Sequence, residues 1–147
     1  MLFIERNVPS SKNSRVNTRH GSFTGPAVKK YLRSYGIQAF NTSKKNKGIT
    51  EYKTIPMTFP VDELRELFKG KTFPVYVSFH FVRKTRGIWD FGNITQILLD
   101  LMTACGAIPD DNMHFTVPEC MIKDGKHFSH DKDNPGVWIA VRELKTS

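Results

Sequence analysis

Acidic residues surround one predicted helix in a chain that is otherwise basic. The stretch 89–112 reads WDFGNITQILLDLMTACGAIPDDN. Asp90 stands just before the helical part of this stretch, Asp100 lies within it, and Asp110 and Asp111 follow in the next loop. Carboxylates that are brought together repel one another unless a cation lies between them. The pattern therefore indicates a candidate site for a divalent metal ion.

The lengths of the helix and of the following loop allow the acids to meet. A helix over residues 93–104 is about 18 Å long, and residues 105–112 span about 26 Å when extended. Asp111 can therefore fold back toward Asp90. Mg²⁺ favours a site with few carboxylates, retained waters and phosphate oxygens, which suits metal-assisted hydrolysis of a phosphodiester. The polar strip of the helix, opposite its apolar face, carries Asn93, Gln96, Asp100 and Thr103.

Each acid also has a purely structural explanation. Asp90 or Asn93 would cap the helix, because a side-chain oxygen there accepts a free backbone N–H. Asp100 would be a solvated residue opposite the apolar face, and Asp110 and Asp111 would form a turn. The residue types alone leave both interpretations open.

Positive charge is concentrated in the first third of the chain. Of the net charge of +8, residues 1–50 contribute +9, from ten Lys and Arg residues against Glu5, and residues 51–147 contribute −1. This split favours a polyanionic partner, and nucleic acid over membrane, although a solvated basic surface is the simpler alternative. Ser, Thr and Asn donors near the cations suit phosphate oxygens as well. The candidate DNA-binding residues are Lys12, Asn13, Arg15, Arg19, Lys29, Lys30, Arg33 and Lys123.

The order of the predicted elements indicates a single α+β domain over residues 1–147. We expect one mixed β-sheet with helices packed mainly on one face. The N-terminal region 7–50 is predicted to be basic and rich in loops, with one long loop over residues 7–25. Strands are predicted over residues 2–6, 49–59, 73–83, 114–122 and 136–144, and helices over 26–35, 61–70 and 93–104.

Histidine and cysteine provide weaker candidates for chemistry. His80, inside the strand over 73–83, is predicted to be packed and hydrogen-bonded rather than a ligand. His127 and His130, three residues apart, lack a fourth obvious ligand and an HExxH pattern, which disfavours a zinc site with His114. Cys105 and Cys120 lie outside any CxxC motif and are interpreted as small buried or half-buried apolar residues.

No part of the sequence suggests a membrane partner. No apolar run approaches the length of a transmembrane helix. The N-terminal MLFIERNVPSSKN has too short an apolar segment for a signal peptide and no basic segment before it. We therefore expect a cytoplasmic protein.

The stretch DFGNITQILLDLMTACGAIPDDN resembles the central motif of the RusA-like Holliday junction resolvases, small endonucleases of phages and prophages. That motif has an Asp-x-Asp-Asn, a Lys three residues further on, another Asp, and, eleven residues after it, the second of a paired Asp. VPSSKNSR resembles the N-terminal loop of the family, and NPGVWIAVRE resembles its closing strand. The positions that match the central motif are Asp90, Asn93, Asp100, Asp110 and Asp111.

The resemblance implies a homodimeric, Mg²⁺- or Mn²⁺-dependent endonuclease that nicks four-way junctions or other branched DNA, encoded by a phage or prophage in a bacterial host. By position, Asp90 and Asp111 would be metal ligands. Asp100 would be a supporting acid, and Asn93 would order the turn or the metal shell.

The sequence departs from the family motif at two positions. Gly92 replaces the second carboxylate, which weakens metal binding, and Gln96 replaces the lysine, which removes a cation that could stabilise charge at the phosphate. Asp110 is the candidate replacement for the missing carboxylate, and Lys12, Arg15 or Lys123 for the missing cation. An alternative is therefore a non-catalytic protein that binds branched or single-stranded DNA with a degenerate nuclease site. A protein-interaction role for the basic region is a third hypothesis.

Overall fold

In the computed structural model, the described residues are 1–9, 15–18, 21–24, 26–41, 50–54 and 58–144. They form nine strands and three helices. The strands are β1 (Leu2–Glu5), β2 (Arg15–Thr18), β3 (Gly21–Thr24), β4 (Ile37–Asn41), β5 (Thr50–Thr54), β6 (Val75–Arg83), β7 (Thr116–Cys120), β8 (Ser129–His130) and β9 (Gly136–Glu143). The helices are α1 (Pro26–Ser34), α2 (Val61–Phe68) and α3 (Phe91–Ala104).

Five strands make one mixed sheet around β6. The order is β1-β9-β6-β7, and β8 also pairs with β6. Strand β9 runs antiparallel to both β1 and β6, whereas β7 and β8 run parallel to β6. The predicted single-domain α+β fold with one mixed sheet is thus confirmed.

The N-terminal region contains more regular structure than expected. The predicted loop over residues 7–25 is wrong for β2 and β3, which pair with each other antiparallel. Strand β4 was not predicted either, and it pairs with β5. These segments are short and polar, and backbone hydrogen bonds do not require the apolar alternation from which strands are predicted. Residues 42–49, within the predicted basic and loop-rich region, lie outside the described residues.

Helices α1 and α2 begin and end as the sequence predicts. Pro26 is the first residue of α1, where its missing N–H costs nothing. Gly36 follows that helix with a φ of 76°, and Gly70 follows α2 with a φ of 74°. Both values lie in the left-handed region that commonly ends a helix at glycine.

Helix α3 packs its apolar face against one face of the sheet. Ring contacts join Phe91 at its start to Phe79 and Phe81 of β6, with centroids 6.3 and 5.8 Å apart. Gly106 follows the helix with a φ of 79°. The apolar face that the sequence predicts for this helix is buried, and it consists of Ile94, Ile97, Leu98, Leu101 and Met102.

The opposite face of β6 is also largely buried, so the strand does not alternate between core and solvent. His80 on this face is 1 % exposed. Its Nδ1 lies 2.9 Å from the carbonyl oxygen of Met121, and its Nε2 lies 2.7 Å from the hydroxyl of Ser129. Because a carbonyl oxygen only accepts, Nδ1 donates and Nε2 accepts from Ser129. The prediction of a packed, hydrogen-bonded histidine is confirmed.

Strand β7 lies at one edge of the sheet, where Pro118, which has no N–H to donate to a neighbouring strand, is tolerated. In the part of the chain that the structure describes, none of the helices combines the length and the apolar character needed to cross a bilayer.

Candidate functional site

Asp90 caps helix α3. Its backbone is extended, with φ −118° and ψ 121°, and its carboxylate accepts a hydrogen bond from the backbone N–H of Gly92 at 3.0 Å. This geometry satisfies one of the free N–H groups of the first turn. The capping explanation of Asp90 is therefore confirmed, and the carboxylate remains exposed.

The side chain of Gln96 joins two acids that are eleven residues apart in sequence. Its Nε2 donates to Asp100 Oδ1 and to Asp111 Oδ2, each at 2.8 Å. The two carboxylate oxygens therefore lie within twice that distance of each other. All three side chains are half-buried. Three of the predicted residues thus meet, and Gln96, which the sequence placed on the polar strip of the helix and at a departure from the family motif, lies between the two acids.

The charge of this cluster is not balanced by Gln96. An amide is neutral, so it separates the two carboxylates and satisfies two lone pairs without supplying the positive charge that a lysine would carry. Two like charges held this close attract a cation. We call Gln96, Asp100 and Asp111 the amide-bridged acid pair.

The donor chemistry of the amide-bridged acid pair fits Mg²⁺ or Mn²⁺. Both carboxylates are hard oxygen ligands. A 180° flip of the side-chain amide of Gln96 exchanges Nε2 for Oε1, so that an oxygen atom then faces the two carboxylates. The pair then offers three oxygens from three side chains, which leaves the remaining positions of an octahedral ion to water and substrate.

The loop that carries Asp111 is anchored to the sheet. The buried hydroxyl of Thr116, the first residue of β7, donates to the carbonyl oxygen of Asp111 at 3.1 Å. The backbone N–H of Thr116 donates to the carbonyl oxygen of Asn112 at 3.0 Å. These bonds fix the position from which the side chain of Asp111 reaches helix α3.

Asp110 forms the turn that precedes Asp111. Its carboxylate accepts from the backbone N–H of Asp111 at 2.7 Å and from Asn112 Nδ2 at 3.0 Å. The hydrogen bond from the N–H of Asp111 lowers the pKa of Asp110, because it stabilises the ionised form. The turn-forming explanation is confirmed for this residue, and its role as a replacement metal ligand stays a prediction.

The structure describes no larger acidic centre. Among the described residues, no three His, Cys, Asp or Glu side chains are grouped as a metal ion requires. A metal shared by Asp90 and Asp111 therefore stays a prediction. At Gly92, an added Cβ would lie 3.5 Å from Asp90 Oδ1. This is an ordinary van der Waals contact, so a side chain can begin at this position without a collision of its Cβ.

The candidate DNA-binding residues fall into three groups. Lys29, Lys30 and Arg33 are exposed on α1. Lys123 already has two partners within the chain. Its ammonium lies 4.8 Å from the ring centroid of Trp138 and 3.4 Å from the carboxylate of Asp124. Arg15 lies in β2, whereas Lys12, Asn13 and Arg19 lie outside the described residues.

The two cysteines differ from each other. Cys105 is half-buried against the core, and burial raises the pKa of its thiol, as expected for an apolar role. The same interpretation is wrong for Cys120, which is exposed and donates from Sγ to the carbonyl oxygen of His127 at 3.1 Å. An edge strand exposes alternate side chains even when its sequence is apolar.

Comparisons of the chain with protein-family models, with curated protein sequences and with solved structures find no match.

Proposed function

We propose that this protein is a metal-dependent endonuclease that cuts four-way junctions or other branched DNA, similar in activity to the RusA-like resolvases. The observation that carries the proposal is the amide-bridged acid pair. Asp100 and Asp111 come from different elements, yet both reach the same nitrogen at 2.8 Å. Two carboxylates that converge on one neutral amide present hard oxygen ligands of the kind that Mg²⁺ or Mn²⁺ binds.

In this proposal Asp100 and Asp111 hold Mg²⁺ or Mn²⁺, with Gln96 as a neutral oxygen ligand and Asp90 near the start of the same helix. The bound ion supplies polarisation of the phosphodiester and activation of water. The protein holds its carboxylates in place through the hydroxyl of Thr116 and through the rigid helix α3. Binding and cutting then depend on different residues.

Binding falls to the basic N-terminal region, which includes the exposed cations of α1. Contacts to phosphate give affinity that falls steeply with salt and carry little sequence information. A four-way junction offers two equivalent strands, so a two-fold homodimer is the natural reader. We place this activity in the cytoplasm of a bacterial host, on a phage or prophage genome, as the resemblance implies.

A second candidate function is non-catalytic recognition of branched or single-stranded DNA. Two observations favour it: the amide of Gln96 already satisfies both carboxylates, and Gly92 contributes no third one. In that case the basic region would bind DNA as proposed, and the acid pair would serve only to attach the loop at Asp111 to α3.

A cleavage assay on matched substrates separates the two functions. We expect the protein to nick a four-way junction in Mg²⁺ or Mn²⁺, to leave it intact in EDTA, and to prefer it over duplex and single-stranded DNA of the same sequence. Salt-titrated binding to the three substrates, without divalent ions, measures recognition separately. If the protein binds the junction but does not nick it with any divalent ion, the result would support the non-catalytic function. Equal binding to all three DNAs would refute junction specificity.

Restoring the missing carboxylate is expected to improve cleavage. Gly92→Asp should raise the nicking rate at limiting Mg²⁺ by about tenfold, because a further carboxylate near Asp90 strengthens metal binding. Gly92→Ala is the matched control, since it adds the same Cβ without the charge. A Mg²⁺ titration of the nicking rate measures the effect. Equal rates for the Asp and Ala variants would show that the position does not contribute to the metal site.

A further inference from the structure

A cavity of about 440 Å³ lies at the end of the sheet where β1 and β6 finish and β9 begins. This volume is within the range of small-molecule sites. None of the acids of the amide-bridged pair lines it. The residues that determine its chemistry are Phe3, Arg6, Asn7, Lys84, Lys132 and Asn134.

The walls of this end cavity are held by hydrogen bonds from backbone N–H groups to backbone and side-chain oxygens. The N–H of Arg6 donates to the carbonyl oxygen of Pro135 at 2.8 Å, and the N–H of Lys84 donates to Asn7 Oδ1 at 3.0 Å. On the opposite side, Asp131 Oδ1 accepts from the N–H groups of Asp133 and Asn134 at 3.0 and 3.1 Å. The cavity is therefore preformed.

Three cations line the end cavity. Lys84 and Lys132 are exposed, and neither ammonium forms an ion pair with a described residue. Arg6 has a φ of 81°, and its guanidinium lies 4.4 Å from the ring centroid of Tyr35 and donates to the carbonyl oxygen of Ser34. The two ammonium groups are thus available to an anionic group such as phosphate.

Two carboxylates, Glu5 and Asp133, also line the end cavity. These carboxylates repel a ligand that carries only negatively charged groups, such as inorganic phosphate. They suit a ligand that carries N–H or O–H donors in addition to its anionic group. The amides of Asn7 and Asn134 add both donors and acceptors, which is the combination that reads the edge of a nucleobase.

Phe3 supplies an aromatic wall. Its ring lies on Trp138 with centroids 4.8 Å apart and passes so close to Gly136 that a Cβ there would be 2.5 Å from its Cζ. The ring is half-buried, and its edge lies against the backbone of Gly136. An aromatic side chain that is fixed in this way at a cavity wall is a stacking surface for a flat ring.

We propose that the end cavity binds a single nucleotide, with its phosphate at Lys84 and Lys132 and its base against Phe3. The nucleotide is either free or an unpaired residue of a nucleic acid strand. This site does not depend on the proposed nuclease activity, since it shares no residue with the amide-bridged acid pair.

The test is a titration of the full chain with the four deoxynucleoside monophosphates, with deoxyadenosine, with inorganic phosphate and with a short oligothymidine. The readout is the ¹H–¹⁵N NMR shift of the backbone amides of Arg6, Lys84 and Asn134, with affinities from calorimetry. We expect at least one mononucleotide to bind with millimolar affinity and to shift these amides. The double substitution Lys84→Gln with Lys132→Gln should weaken binding by about tenfold, the size of one or two charge-assisted hydrogen bonds.

Lys126→Gln is the matched control, because Lys126 is exposed in a turn and does not line the cavity. Binding of oligothymidine at the same amides would identify a strand as the source of the nucleotide, and binding of mononucleotides alone would identify the free form. Any one of three results would overturn the proposal. These are equal affinity for phosphate and for nucleotides, no shift at these amides with any ligand, and unchanged binding by the double variant at Lys84 and Lys132. Asp111→Asn should leave these shifts unaltered, which separates this site from the nuclease.

Discussion

Asp111→Asn is expected to lower divalent-ion-dependent nicking of a four-way junction by at least about 100-fold, the scale at which losing one electrostatic group affects catalysis. The substitution removes a negative charge and little else. An asparagine carbonyl oxygen still accepts from Gln96 Nε2, and the bond from Thr116 goes to the backbone oxygen of residue 111. The loop should therefore keep its position while the affinity for the metal falls.

Two measurements make this result specific. Thermal unfolding should be unchanged, and junction binding without divalent ions should match that of the unaltered protein. Glu66→Gln, in the exposed face of α2, removes the same charge away from the site and should leave nicking intact. If Asp111→Asn nicks at the original rate, the amide-bridged acid pair is not the metal site, and the structural explanation of these acids holds.

Gly136→Ala is expected to lower the free energy of unfolding by about 3 kcal/mol, at the upper end of the usual cost of overpacking. The added Cβ would lie 2.4 Å from the carbonyl oxygen of Ile4 and 2.5 Å from Phe3 Cζ. Ile4 is 1 % exposed and its backbone belongs to the sheet, so it cannot move away cheaply. Denaturant unfolding measures the loss, which corresponds to a fall in Tm of about 10 °C for a chain of this size.

The control for this substitution is Gly87→Ala. Among the described residues other than its two chain neighbours, the atom nearest to an added Cβ at Gly87 is Thr85 Oγ1, at 3.8 Å. Its stability should be unchanged or slightly increased, because alanine restricts the unfolded chain. Adding Phe3→Leu to Gly136→Ala should recover only part of the loss, since the collision with the backbone oxygen of Ile4 remains. Unchanged stability of Gly136→Ala would contradict the pairing of Glu5 with Gly136 between β1 and β9.

Helix α3 could be predicted from the sequence because one apolar face determines it. Its buried residues recur at helical spacing, and Gly106 ends it. Strands β2, β3, β4 and β8 could not be predicted, because they are short and lack the regular apolar alternation by which a strand is recognised in a sequence. The parallel pairing of β7 with β6 is likewise a property of the assembled sheet.

The candidate site was predicted in its residues more than in its contacts. The span calculated for the loop after α3 assumed a fully extended chain. Part of that loop instead continues the turn at the end of the helix. The N–H of Ala107 donates to the carbonyl oxygen of Met102 at 2.9 Å, and Ile108 is 3 % exposed. Fewer residues are therefore left to run back toward Asp90. The side chain of Asp111 contacts Gln96, in the middle of the helix. The four-residue spacing of Gln96 and Asp100 was the available signal for their contact.

The free edge of strand β7 is a poor template for further strands. The N–H of Met121 donates inward to the carbonyl oxygen of Phe79, so by alternation Thr116, Pro118 and Cys120 direct their backbone nitrogens outward. Thr116 already donates to Asn112, and proline has no N–H, which leaves Cys120 as the one outward donor of β7. Edge-to-edge growth of fibrils is thereby disfavoured here, because β7 offers an incoming strand only one backbone donor.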